Sequence, residues 1–324
     1  MSTPAAPTLP PLPRPRRWVV QQESVLVAAI LALTLCVSLV NPDFLNTSNL
    51  LDIAVNTAYI AVAAAGMTMV IVSGNIDISV GSMLGVCATI AGELARNDVP
   101  VPLAFAAAVI AGGIMGAVNG ALVAYARIPA IVVTLGMLSI LRGGLILVTQ
   151  GRWIESLPQA FFFSQRSTLG IPNPVWVMVI VALLVWFFMR YHRLGRAIYA
   201  VGGNAEAARL AGINPRQVHF FVFVVNGLLV GLAAVLYASK FTAIQSNAGQ
   251  GFELAVISGT VVGGVSILGG TGTVLGAVLG SLLISQIGTA AVFLKVSPFW
   301  LQAVQGGLIL LTVLVDVLRR RRMT

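Results

Sequence analysis

Apolar residues in this chain come in blocks about as long as a bilayer is thick, set apart by short polar stretches. The blocks fall near residues 23–40, 50–72, 78–95, 102–125, 130–149, 173–189, 218–238, 252–269, 274–293 and 299–317. Hydrocarbon ~30 Å thick takes roughly 20 residues of helix to cross. Backbone in lipid must satisfy its own hydrogen bonds, which leaves the helix as the natural element for each block. The pattern predicts an all-α integral membrane protein of about ten transmembrane helices. Its first block reads as a retained span, because no small-residue cleavage site closes it.

The polar stretch from Arg190 to Gln217 is the longest basic interruption and carries Arg190, Arg193, Arg196, Arg209 and Arg216. Within it, Gly203 to Ile213 reads as a short capped helix. Asn204 is a good N-cap, and Glu206 falls in the first turn, where the helix dipole favours negative charge. Arg209 lies three residues on, within reach of Glu206, and Gly212 supplies a left-handed stop. Ala207, Leu210 and Ala211 form a small apolar face. A membrane protein that presents such a helix in water is expected to offer it to a soluble partner.

Composition agrees with the blocks. The 324 residues are 58% hydrophobic and 9% charged, against roughly 25% charged in soluble domains. The net charge of +9 would suit nucleic acid, but the basic residues lie mostly between apolar runs, where membrane orientation accounts for them. No nucleic-acid role is expected. With the N-terminus inside, Arg14, Arg16, Arg17, Arg127, Arg190, Arg193, Arg196, Arg209, Arg216 and Arg319 to Arg322 fall on the cytoplasmic side. Only Arg96, Arg142, Arg152, Arg166, Lys240 and Lys295 do not. Both termini and the 190–217 loop are therefore expected in the cytoplasm. The proline-rich residues 1–17 read as a disordered cytoplasmic tail, 18–318 as the transmembrane domain and 319–324 as a basic cytoplasmic tail. Cys36 and Cys87 sit inside apolar runs and read as packing residues, and no metal cluster is expected.

Two glycine-rich breaks interrupt the blocks: Ser73-Gly74-Asn75-Ile76-Asp77-Ile78-Ser79-Val80-Gly81-Ser82, and Gly263-Gly264-Val265-Ser266-Ile267-Leu268-Gly269-Gly270-Thr271-Gly272. Each glycine inside a helix costs about 1 kcal/mol relative to alanine. Paired interruptions of this kind accompany substrate routes in transporters. Gly112, Gly113 and Gly116, and likewise Gly276 and Gly280, read instead as tight helix-packing faces.

Taken together, SGNIDISVGSMLG, GRAIYAVGGNAEAARLAGI and VVGGVSILGGTGTVLGAVLG resemble the permease subunits of bacterial ABC sugar importers, the class handling ribose, xylose, arabinose, galactose, rhamnose and autoinducer-2. The resemblance spans about residues 43 to 318. The family usually has GGIDLSVGS at the first motif, where this chain has Asn75 in place of a glycine. The resemblance implies a type II-like importer permease of the inner membrane, with a second permease subunit, periplasmic sugar-binding protein and cytoplasmic ABC ATPase as partners. It makes Gly203, Asn204, Glu206, Ala207, Arg209, Leu210, Ala211 and Gly212 the coupling helix that fits an ATPase groove. The chain carries no GxxxxGK[ST] phosphate loop, so it is expected to have no cofactor of its own and no enzymatic activity; ATP and Mg belong to the partner.

Charges in the spans are Asp77, Arg142 and Glu253. Each must face protein or water, since a charge at mid-membrane costs about 2.5–3.5 kcal/mol. Asp77 is placed to cap the third helix, Arg142 to snorkel outward, and Glu253 to favour a helix dipole or dock the binding protein. Sugar hydroxyls call for neutral donors and acceptors. Asn56, Asp77, Ser79, Asn119, Thr134, Asn226 and Gln305 are candidates to line the translocation path, each with helix-to-helix hydrogen bonding as the rival role. His192 and His219 read as solvated or interfacial. The alternative function is an ion-coupled secondary transporter, for which Asp77 would be the acidic relay. An intramembrane enzyme would need a metal or nucleophile cluster that the sequence lacks.

Overall fold

The computed structural model describes residues 16–297 and 299–321. The expected tail therefore lies outside the described residues for 1–15, as does the C-terminal tail for 322–324. A helix occupies each of the ten apolar blocks. In chain order they begin with α1 (Arg16–Val40), α2 (Thr47–Val72), α3 (Val80–Arg96), α4 (Val101–Ala124) and α5 (Ala130–Thr149). An irregular segment with a two-residue hairpin, β1 (Ser167–Thr168) and β2 (Ile171–Pro172), leads into α6 (Asn173–Tyr191). Two short helices follow, α7 (Arg193–Gly203) and α8 (Ala205–Leu210). The chain ends with α9 (Pro215–Ala238), α10 (Phe252–Val262), α11 (Val274–Phe293) and α12 (Phe299–Arg321).

Local chemistry sets the ends. Prolines sit in the first turn of α4, α6 and α9, where a missing amide costs nothing. Asn46 and Asn214 cap α2 and α9 by accepting an amide two residues on. α10 stops at Val262 rather than reaching 269, because Gly264, just after the Gly263 cap, leaves the helical region at φ +96°. α1 begins at Arg16, so Arg16 and Arg17 belong to a helix and not to the tail; α12 likewise takes in Arg319 to Arg321.

Seven helices among the described residues are long and apolar enough to cross a membrane: α1, α2, α4, α5, α6, α9 and α11. Among the described residues, α3 with 17 residues, α10 with 11 and the apolar stretch Trp300–Leu314 of α12 fall short. α2 is the centre of the bundle, with 89% of its apolar window buried against α6, α9, α10 and α11. The most extensive crossing is α4 on α9. A Cβ on Gly112 or Gly116 would collide with the α9 backbone at Gly227 and Phe223, and one on Gly227 would collide with Gly112. Gly276 and Gly280 of α11 meet Gly263 and Gly259 in the same way. Backbone-to-backbone approach of this kind is how helices gain dispersion contact where lipid offers no hydrophobic drive.

Candidate coupling site and polar network

α6 ends at Tyr191, and His192 turns the chain by accepting the Leu194 amide on its Nδ1 at 3.2 Å while stacking on Phe188. α7 then runs with Ala197, Ile198 and Val201 buried. This helix is absent from the sequence reading, although Leu194, Ala197, Ile198 and Val201 carry the helical spacing that would have revealed it. Asn204 is at once the C-cap of α7 and the N-cap of α8: its amide donates to Ala200 O at 3.0 Å and its Oδ1 accepts the Ala207 amide at 2.9 Å. With one residue between them, the two helices form a rigid elbow.

On α8, Ala208 alone faces the protein. Glu206, Ala207, Arg209, Leu210, Ala211 and Gly212 are exposed, as are Gly203 and Asn204. Leu210, at 79% exposure, is an apolar side chain held out at a helix end. Arg209 clasps Glu206 with two bonds, Nη2 to Oε1 at 2.6 Å and Nε to Oε2 at 3.1 Å. Hydrogen bonding from Arg209, then its charge, holds the Glu206 carboxyl below its usual range, and Glu206 in turn raises Arg209. Gly212, at φ +83°, ends the element.

Both glycine-rich segments lie against this elbow. Residues 73–79 and 263–273 are non-helical. They meet where the Gly270 amide donates to the Val72 carbonyl at 2.9 Å. Gly202 of α7 is wedged at the same point, since a Cβ there would strike both Val72 O and Gly270 N.

Asp77, Ser79, Asn119 and Asn226 come together in a fully buried network. Asp77 Oδ1 accepts the Ser79 amide at 3.0 Å and the Ser79 hydroxyl at 2.6 Å, so Asp77 braces the turn before α3 rather than capping the helix, whose N-cap residue is Ser79. Asn226 Nδ2 donates to Asp77 Oδ2 at 3.0 Å, and Asn119 Nδ2 donates to Ser79 Oγ at 2.9 Å. Break, α4 and α9 are thereby tied together. The Oδ1 atoms of Asn119 and Asn226 are buried without a partner, the latter facing Gly66.

Of the other path candidates, Thr134 reaches the first break, its hydroxyl 3.4 Å from Ile76 O, while Asn56 and Gln305 lie apart from it. Thr134, fully buried, donates back to Ala130 O at 2.9 Å. Asn56 is half-buried and accepts from Lys240 Nζ at 2.8 Å at the opposite end of the bundle. Gln305 is buried, its carbonyl accepting from Ser258. Arg142 does not snorkel: its Nη1 donates to Ala248 O at 2.8 Å, pinning the α9–α10 connection. Glu253 lies in the first turn of α10 with Oε2 enclosed against Gly81. His219 is not solvated, because its Nε2 is buried and unpartnered in the first turns of α9.

Residues 49–313 match the family model described as branched-chain amino acid transport system / permease component. The chain belongs to this family of transport permeases. It is 37% identical over 306 residues to the ribose import permease protein RbsC of Escherichia coli (strain K12), covering 93% of this chain and 95% of that protein. The Haemophilus influenzae ribose import permease is 36% identical over 93% of the chain and 94% of its own length. The autoinducer 2 import system permease protein LsrC of Salmonella typhi is 37% identical over 91% and 85%. The likeness to ABC sugar importer permeases carried by the three motifs is borne out, and it extends well beyond them. As a family member with seven membrane-length helices, the chain is a multi-pass membrane permease.

Proposed function

We propose that this chain is the permease subunit of an ATP-driven importer that carries a monosaccharide or sugar-like solute across the bacterial inner membrane. The observation that carries the coupling role is α8: a capped, exposed element with Leu210 held outward beside the clasped Glu206–Arg209 pair. An apolar knob with a charged rim suits a groove on a soluble ATPase, which would bind ATP and Mg and drive the cycle. Ribose and autoinducer 2 are what the similar permeases import by name, which supports a small hydroxylated substrate.

In this reading both termini and α7–α8 face the cytoplasm, following the arginine bias. α3, α10 and α12 complete ten membrane-embedded helices, the shorter ones packed in protein. A second permease subunit forms the other half of the path, and a periplasmic binding protein delivers the sugar. The Asp77 network holds the first break closed within one subunit, so a path through it requires the network to open. The neutral donors facing Asp77 make it a structural anchor, which disfavours an ion-coupled carrier.

Reconstitution tests this. The permease, its cognate ATPase and binding protein are placed in proteoliposomes and offered labelled pentoses, hexoses and autoinducer 2. ATP-dependent uptake is expected for at least one; uptake that follows a sodium or proton gradient without ATP overturns the reading.

A further inference from the structure

The segment that follows α10 is a folded loop. The Ser266 amide donates to Thr271 O at 3.1 Å and the Gly269 amide to Ser266 O at 2.9 Å. Gly272 packs on Val265 so closely that a Cβ would sit 2.9 Å from three of its atoms. The loop is therefore bonded within itself as one unit. It is gripped by α7 at two places. Tyr199 Oη donates to the Gly272 carbonyl at 3.0 Å, and Gly202 lies backbone-to-backbone on Gly270. Burial raises the Tyr199 phenol, so the hydroxyl remains a donor throughout the physiological range.

Beyond the loop the connection stays short. Thr273 caps α11 through the Gly276 amide at 3.0 Å, and its hydroxyl donates to Glu23 of α1 at 3.1 Å. On the other side, the Asn204 elbow joins α7 directly to α8. A displacement of α8 thus reaches the start of α11 through two gripped contacts with no flexible side chain interposed at Gly202.

We propose that Tyr199 is a positioning residue for transport, tethering the second glycine-rich loop to α7 so that movement of α8 is passed to α11. This rests on the reading of α8 as the ATPase-docking element. Without the tether, α8 still docks and the ATPase still turns over, but the loop lags and each hydrolysis event moves less sugar.

The test is Tyr199→Phe, which keeps the ring and removes only the donor, in proteoliposomes holding the complete importer. Sugar taken up per ATP hydrolysed is expected to fall roughly two- to tenfold, the range of one hydrogen bond's net worth. Copurification with the ATPase and the melting temperature in detergent should match wild type. Gly202→Ala should lower the same ratio further by parting Gly270 from Val72. A coupled wild type with an unchanged ratio in Tyr199→Phe overturns the tether alone. A wild type that takes up no sugar with ATP overturns the docking reading and the tether with it.

Discussion

Asn226, midway along α9, donates its side-chain amide to the carboxylate of Asp77 across 3.0 Å and 149 positions of sequence. Since α9 continues N-terminally into the α8 elbow, this bond ties the docking end of the molecule to its first break. Removing it by Asn226→Ala leaves a buried carboxylate oxygen without its donor. A loss of about 1.5–3 kcal/mol is expected, typical of a hydrogen bond to a charged group. Thermal unfolding in detergent should show it, with Asp77→Asn less damaging because the charge leaves as well. Equal melting temperatures for Asn226→Ala and wild type would contradict the network's structural role.

The α4–α9 crossing predicts a steep size dependence. Gly227→Ala forces a Cβ into Gly112 O, and overpacking of this sort costs typically 1–3 kcal/mol. Gly136, where a Cβ would meet nothing within 4 Å, should accept alanine freely. Comparing folded yield of the two variants by gel filtration checks the contrast.

The Glu206–Arg209 clasp has a definite pH sense. The carboxyl is held below its ordinary value, so the clasp is intact above that value and lost as pH falls through the lowered one. Docking of the ATPase should be flat between about pH 6 and 8 as far as this pair is concerned. Arg209→Glu should uncouple ATP hydrolysis from uptake while leaving membrane insertion intact. Normal sugar uptake by that variant would argue against α8 as the docking element.

Arg142 predicts a local effect at the other end. Arg142→Ala frees the Ala248 carbonyl, and amide exchange across residues 241–251 should quicken while that of α7 and α8 stays unchanged. Arg142→Lys should restore protection only in part, because an ammonium lacks the guanidinium's directed donors.

How much of this was legible beforehand follows from range. The ten apolar blocks were visible because bilayer thickness writes itself into local composition, and α8 was visible because its cap, ion pair and stop lie within nine residues. α7 is hidden in the sequence because Arg193 and Arg196 break up its apolar face of Leu194, Ala197, Ile198 and Val201 and give it the look of a charged loop. The end of α10 was placed too late because Val265, Ile267 and Leu268 are apolar enough to hide the stop at Gly263-Gly264. The meeting of Asp77 with Asn226, of Gly270 with Val72 and of Tyr199 with Gly272 had no local signature. Such pairs join segments remote in sequence, and only packing brings them together.

The central position of α2 bears on how the molecule is made. A helix of membrane length normally matches its surface to lipid, yet α2 keeps nearly all of its apolar window against other helices. It must first enter the bilayer as an oily segment, because hydropathy is what marks a span for insertion. It then leaves lipid as α6 and, later, α9, α10 and α11 close around it. Assembly of the centre therefore waits for the C-terminal half, and a nascent chain that stops before α9 carries an inserted helix with three of its four main neighbours still missing.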